Sequence, residues 1–152
     1  MIFREEQADM KQTLRVRTRA RTEVVDLTAQ VRQVVGESGI REGWCVVYVP
    51  HTTAAVTINE NADPNVMQDV LATLEELVPW QAPHYRHREG NSAAHIKASL
   101  LGPSEILLVE GGQLQLGTWQ GIQFCEFDGP RTRQVWVQVV GKEERDENRP
   151  AG

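Results

Sequence analysis

The carboxyl-terminal third constrains the fold most tightly. Residues 104–141 read SEILLVEGGQLQLGTWQGIQFCEFDGPRTRQVWVQVVG, strand-like apolar runs cut by Gly111–Gly112 and by DGPR at 128–131. Glycine pairs and Asp-Gly steps are turn signals, and turns this short leave no room for a helical crossover. The strands here are therefore expected to form an antiparallel meander. KQTLRVRTRA, TEVVDL, GWCVVYVP and TTAAVTIN upstream also read as strands.

Helical spacing interrupts them three times. Leu27, Val31, Val34 and Val35 predict a helix over 27–38, with Asp26 to cap its start and Gly39 to close it. Asp63 caps the next, Pro64 takes its first position, and Val66, Val70, Leu74 and Leu77 form its stripe. SAAHIKASLLG predicts a short third helix ending at Gly102. The class is α+β: one domain of mixed or antiparallel sheets with two main helices and a short one. Residues 1–141 form that domain, opening with a polar extension over 1–11. KEERDENRPAG, residues 142–152, reads as a disordered tail.

The chain of 152 residues carries a net charge of −5, which argues against a nucleic-acid partner. Its basic residues cluster in RVRTRAR, where alternation along one strand would put Arg15, Arg17, Arg19 and Arg21 on a solvated face. No apolar run reaches membrane-spanning length, and MIFREEQADMK lacks the apolar centre of a signal peptide. Cys45 and Cys125 lie within apolar strands and read as buried free thiols, with a cross-strand disulfide the alternative. A cytoplasmic location is expected.

The polar residues that core packing does not want carry the chemistry. His51 ends a strand at a Thr-Thr step, and His87 and His95 bracket the loop before the short helix; His84 is the fourth histidine. Their spacing matches no compact metal signature. Asn59, Glu60, Asn61 and Asp63 follow in INENADPN, where two strand amides could face a ligand. Trp119 and Gln120 open a strand that delivers Glu126 and Asp128, on one face with Phe124 by alternation. Arg131 follows in a turn, able to pair with a carboxylate or a phosphate.

Three segments in this order resemble the YjbQ family, whose members are often labelled secondary thiamine-phosphate synthase: HTTAAVTINENADPNV, YRHREGNSAAHIKASLLGPS and GQLQLGTWQGIQFCEFDGPRTRQVWVQVVG. The likeness runs from about Thr13 to Gly141. It implies an α+β fold, a homotrimer, and a site near a subunit boundary. It implies that His51, His87 and His95 share that site as metal ligands and catalytic groups, with Asp128 and Arg131. Asn59, Asn61, Trp119, Gln120 and Glu126 would bind substrate, with TINEN lining the pocket. His84 departs from the family pattern, in which tyrosine is common, and is left out of the site. Ala93 stands where relatives often carry Asp.

Thiamine-phosphate synthesis expels diphosphate, so it calls for cations: Arg131, Lys97 and a divalent metal are the candidates. A histidine trio suits a zinc-like ion, whereas diphosphate chemistry suits magnesium. Three readings follow: a weak synthase acting on phosphorylated small molecules, a metal-dependent hydrolase or lyase, and a non-catalytic trimeric binding module.

Overall fold

The computed structural model describes the backbone of residues 3–146 and the side chains of 8–142. In chain order the elements are β1 (Phe3–Arg17), β2 (Glu23–Asp26), α1 (Thr28–Ser38), β3 (Glu42–Tyr48), β4 (Ala54–Glu60), α2 (Pro64–Leu77), α3 (Ser92–Leu101), β5 (Ser104–Glu110), β6 (Gln113–Leu114), β7 (Gln120–Glu126) and β8 (Thr132–Asp146). They form two antiparallel sheets, ordered β1-β8-β3-β5-β6 and β2-β7-β4.

The expected meander is split between these sheets. Only β5 and β6 pair as consecutive strands, through Gly111 and Gly112, both at positive φ as a tight hairpin requires. Strand β7 instead pairs with β2 and β4, and β8 lies between β1 and β3. Burial supplies the reason. In β7 every residue from Gly121 to Glu126 is buried, the mark of a strand covered on both faces. In β5 only Leu107 and Val109 are buried, while Ile106 and Leu108 stay exposed.

One face of the three-stranded sheet packs Ala54, Val56, Ile122 and Phe124 against Val47, Val109, Val135 and Val137 of the larger sheet, with Val31, Val34 and Val35 of α1 in the same core. Its other face packs Ala55, Cys125 and Phe127 against Met67 of α2 and Ala94 and Ala98 of α3. Cys45 and Cys125 belong to these different cores and are free thiols, each pushed up to about 12 by burial. Among the described residues no helix is long and apolar enough to cross a membrane.

Several local expectations shift. Asp63 caps α2, its carboxylate accepting from Asn65 N–H at 2.9 Å. The packed face of that helix runs through Met67, Val70, Leu71 and Leu74, however, and Leu77 is 71% exposed. Leu27, not Asp26, is the capping residue of α1; Asp26 accepts from the N–H and hydroxyl of Thr28. The polar extension and the start of the tail are paired strand, since β1 and β8 run in register from Phe3↔Asp146 to Arg17↔Thr132. Residues 147–152 of the expected tail lie outside the described residues. Strand β1 ends at Arg17, so Arg19 and Arg21 leave the expected stripe, and Arg21 lies over the Trp80 ring at 4.2 Å.

One ion pair ties the two sheets together. Glu126 on β7 is wholly buried and Arg133 on β8 nearly so. Arg133 donates from Nε to Oε1 at 2.9 Å and from Nη2 to Oε2. Thr18, just past β1, donates its hydroxyl to Oε1 at 2.8 Å, and Arg133 Nη2 also donates to the Thr53 hydroxyl at 2.8 Å. Truncating Glu126 would strand a buried guanidinium. Glu126→Ala is expected to lower stability by about 3–5 kcal/mol in urea unfolding, and a loss under about 1 kcal/mol would show that the pair does not hold the sheets.

Candidate functional site

Strand register decides which polar residues can meet. Ala54 pairs with Glu126, and Glu60 with Gln120, at opposite ends of the β4–β7 ladder. Six residues of extended chain separate those ends by about 20 Å. His51, just before β4, and Asp128, just after β7, therefore belong to one end; Asn59, Asn61, Trp119 and Gln120 belong to the other.

The first end holds a cavity of about 470 Å³, lined by His51, His87, His95, Asp128 and Arg131 together with Pro50, Thr52, Thr53, Glu89, Asn91 and Arg133. The five residues expected to be catalytic are thus brought together. Chain geometry puts each there. The loop of His87 and Glu89 precedes α3, which carries His95, and the turn of Asp128 and Arg131 joins β7 to β8. That turn seats deep because Gly129 has no side chain; a Cβ there would lie 2.3 Å from the Ala20 carbonyl.

The substrate-binding set fares differently. Glu126 is no free ligand: Arg133, Thr18 and the Asp128 N–H occupy its oxygens. Its alternation with Asp128 fails because the strand stops at Glu126. Gln120 accepts from Gly117 N–H, Asn61 donates to Asp26, and the Trp119 carbonyl accepts from Asn61 N–H. Trp119 is 63% exposed. TINEN leads away from the cavity. Lys97 also lies elsewhere, buried and paired with Glu75 of α2.

Sequence reasoning missed Arg133 and Asn91. The signal for Arg133 is its register, since it shares the inward face of β8 with Val135, Val137 and Val139. Asn91, at the start of α3, donates from Nδ2 to Asp128 Oδ2 at 2.9 Å. Its Oδ1 is buried without a donor among the described residues, an uncompensated acceptor of the kind that marks functional sites.

Three kinds of group face this space. Arg131 commits Nε to the Asp128 carbonyl at 2.8 Å and Nη2 to its carboxylate at 3.0 Å, leaving Nη1 without an acceptor among the described residues. His51 accepts the Gln134 N–H on Nε2 at 2.9 Å. A neutral imidazole accepting there carries its proton on Nδ1, so its other nitrogen is a donor. Burial, then the charge of Arg133, holds the His51 pKa below the ordinary histidine value. His87 and His95 meet edge to face, ring centres 5.0 Å apart.

The arrangement does not fit a preformed histidine-metal centre. His51 spends its Nε2 lone pair on backbone, and no three His, Cys, Asp or Glu side chains among the described residues converge as a ligand set. What it offers is donors and guanidinium charge around a cavity lined mostly by polar side chains, the chemistry of anion binding.

A depressed folded pKa fixes the sign of the acid response. Above the ordinary value of 6.5 His51 is neutral in both states; below it the unfolded chain takes the proton first, so stability falls as pH drops. His51→Gln, which cannot take that proton, is expected to lose less melting temperature than the native chain between about pH 7 and pH 5. Equal losses would remove His51 from the acid response.

The comparisons with known proteins agree with this fold. The family model described as UPF0047 protein YjbQ-like matches residues 12–142. The UPF0047 protein YugU of Bacillus subtilis is 51% identical over 132 residues, covering 87% of this chain and all of its own. A UPF0047 protein of Methanocaldococcus jannaschii is 48% identical, covering 83% of this chain and 91% of its own. Among solved structures, an uncharacterized YjbQ/UPF0047 family protein of Clostridium acetobutylicum superposes with a TM-score of 0.82 at 50% identity, over 84% of this chain and 98% of that one. A protein of unknown function from Sulfolobus solfataricus gives 0.86 at 35% identity, over 90% and 99%. Continuous matches of this length and identity place the chain in the UPF0047, YjbQ-like family.

Proposed function

We propose that the cavity binds a phosphorylated small molecule and catalyses, weakly, a thiamine-phosphate-synthase-like transfer. The observation that carries this reading is Arg131, half exposed at the cavity and oriented by Asp128, with one guanidinium nitrogen left over for an anion. In the reaction the thiazole nitrogen attacks the methylene carbon of the pyrimidine diphosphate. A C–N bond forms, the C–O bond breaks, and diphosphate departs with the electron pair. Arg131 takes up charge on the departing group, and the Nδ1–H of His51 donates to its oxygen. Asp128 positions Arg131, and no step here runs through a metal.

Self-association belongs to the same reading. Trp44, Tyr48, Ile106 and Leu108 are all exposed on β3 and β5 of the larger sheet, an apolar area of the kind that subunits cover. A homotrimer is the assembly proposed. Gln134, which holds His51, lies on β8, beside β3 in that sheet.

The test is a synthase assay with pyrimidine diphosphate and thiazole phosphate on the native chain and on Arg131→Ala. Turnover should be measurable and fall about 10–100-fold in the variant, as for loss of one charge-assisted hydrogen bond. Unchanged turnover in Arg131→Ala would contradict the assignment. Diphosphate binding without turnover would make the protein a binding module.

A further inference from the structure

We propose that the molecule holds a second binding site, away from the anion cavity, that takes a small organic ammonium ion. A cavity of about 190 Å³ lies between the three-stranded sheet and the start of α2. Two carboxylates, Asp26 and Glu60, and three amides, Asn61, Gln68 and Gln123, make its polar wall. Val24, Pro64 and Met67 make the apolar one, and no lysine, arginine or histidine lines it. It shares no residue with the cavity of Arg131 and His51, and Glu60 ends the β4–β7 ladder opposite to them.

Packing does not explain Gln123. It stands two residues before Cys125 on β7, on the face packed against Met67, and is only 3% exposed. Its Nε2 donates to the Glu60 carbonyl at 3.2 Å, which fixes the amide and leaves Oε1 as an acceptor. That oxygen has no donor among the described residues, yet it is not one of the side-chain atoms sealed from solvent. The open space that Gln123 lines is this cavity, so Oε1 faces it. A buried acceptor without a donor is costly, and a ligand N–H would satisfy it.

The surroundings set the sign of the ligand. The Glu60 carboxylate has no partner among the described residues, while Asp26 spends Oδ1 on Thr28 and takes one N–H, from Asn61, on Oδ2. The start of α2 offers little to an anion: Pro64 has no N–H, and those of Asn65 and Val66 go to Asp63. A cation rich in donors fits these acceptors, and the apolar wall suits a carbon chain. No three His, Cys, Asp or Glu among the described residues converge to hold a metal instead. At about 30 Å³ each, the share of a water in the liquid, the cavity takes about six non-hydrogen atoms.

The test titrates n-butylammonium chloride into the full chain at constant ionic strength, followed by NMR at the Gln123 side-chain amide and the Met67 methyl. Saturating shifts at both are expected, with Kd about 1 mM or tighter. Gln123→Leu and Glu60→Gln, read at Met67, should each weaken binding at least about tenfold, as for loss of a charge-assisted hydrogen bond. Glu60 is half-buried at a strand end, so Glu60→Gln decides the matter even where Gln123→Leu does not fold. Native affinity in Glu60→Gln overturns the site, as does the absence of saturating shifts. Signals that calcium chloride saturates and butylammonium does not would overturn the organic ligand in favour of a metal. None of these results bears on the anion cavity.

Discussion

The buried pairing of Glu126 with Arg133 is the constraint on which the rest of the molecule depends. It crosses from the three-stranded sheet to the five-stranded one, and Thr18 and Thr53 complete its hydrogen bonds from the two sheets in turn. A buried ion pair repays its desolvation only when its remaining donors and acceptors are satisfied. Here both carboxylate oxygens have more than one partner, the Asp128 N–H among them. That last bond fixes where the DGPR turn begins, and so where Asp128 and Arg131 stand.

The same pair sets the electrostatics above it. Arg133 lines the cavity and discourages a second positive charge on His51, which burial already disfavours. The imidazole is left as a neutral donor held by backbone. Asp128, neutralised in part by Arg131 and bonded by Asn91, orients both neighbours. Structural and site chemistry are one network at this end of the sheet, whereas at its other end Asn61, Asp26 and Gln120 bond among turns and strand ends.

Much of this was legible in the chain. Glycines at 111–112 predicted the β5–β6 hairpin, and Asp63–Pro64 predicted the start of α2, because turn and cap chemistry are local. His51, His87, His95, Asp128 and Arg131 were read as one site, and they line one cavity. What failed was non-local. Asn59 and Trp119 sit close in sequence to residues that line the cavity, but only the antiparallel register of β4 with β7 says that they lie at the far end. Glu126 looked like a ligand because a strand end with a carboxylate gives no hint of the arginine on another sheet. That arginine was legible only as a charge among inward-facing valines.

The most direct measurement is a crystal structure with inorganic pyrophosphate. The anion is expected in the cavity, bonded to Arg131 and to His51 Nδ1, with Arg133 still paired to Glu126. Pyrophosphate bound elsewhere, or Arg133 leaving Glu126 to reach it, would contradict an anion site built on Arg131 and His51.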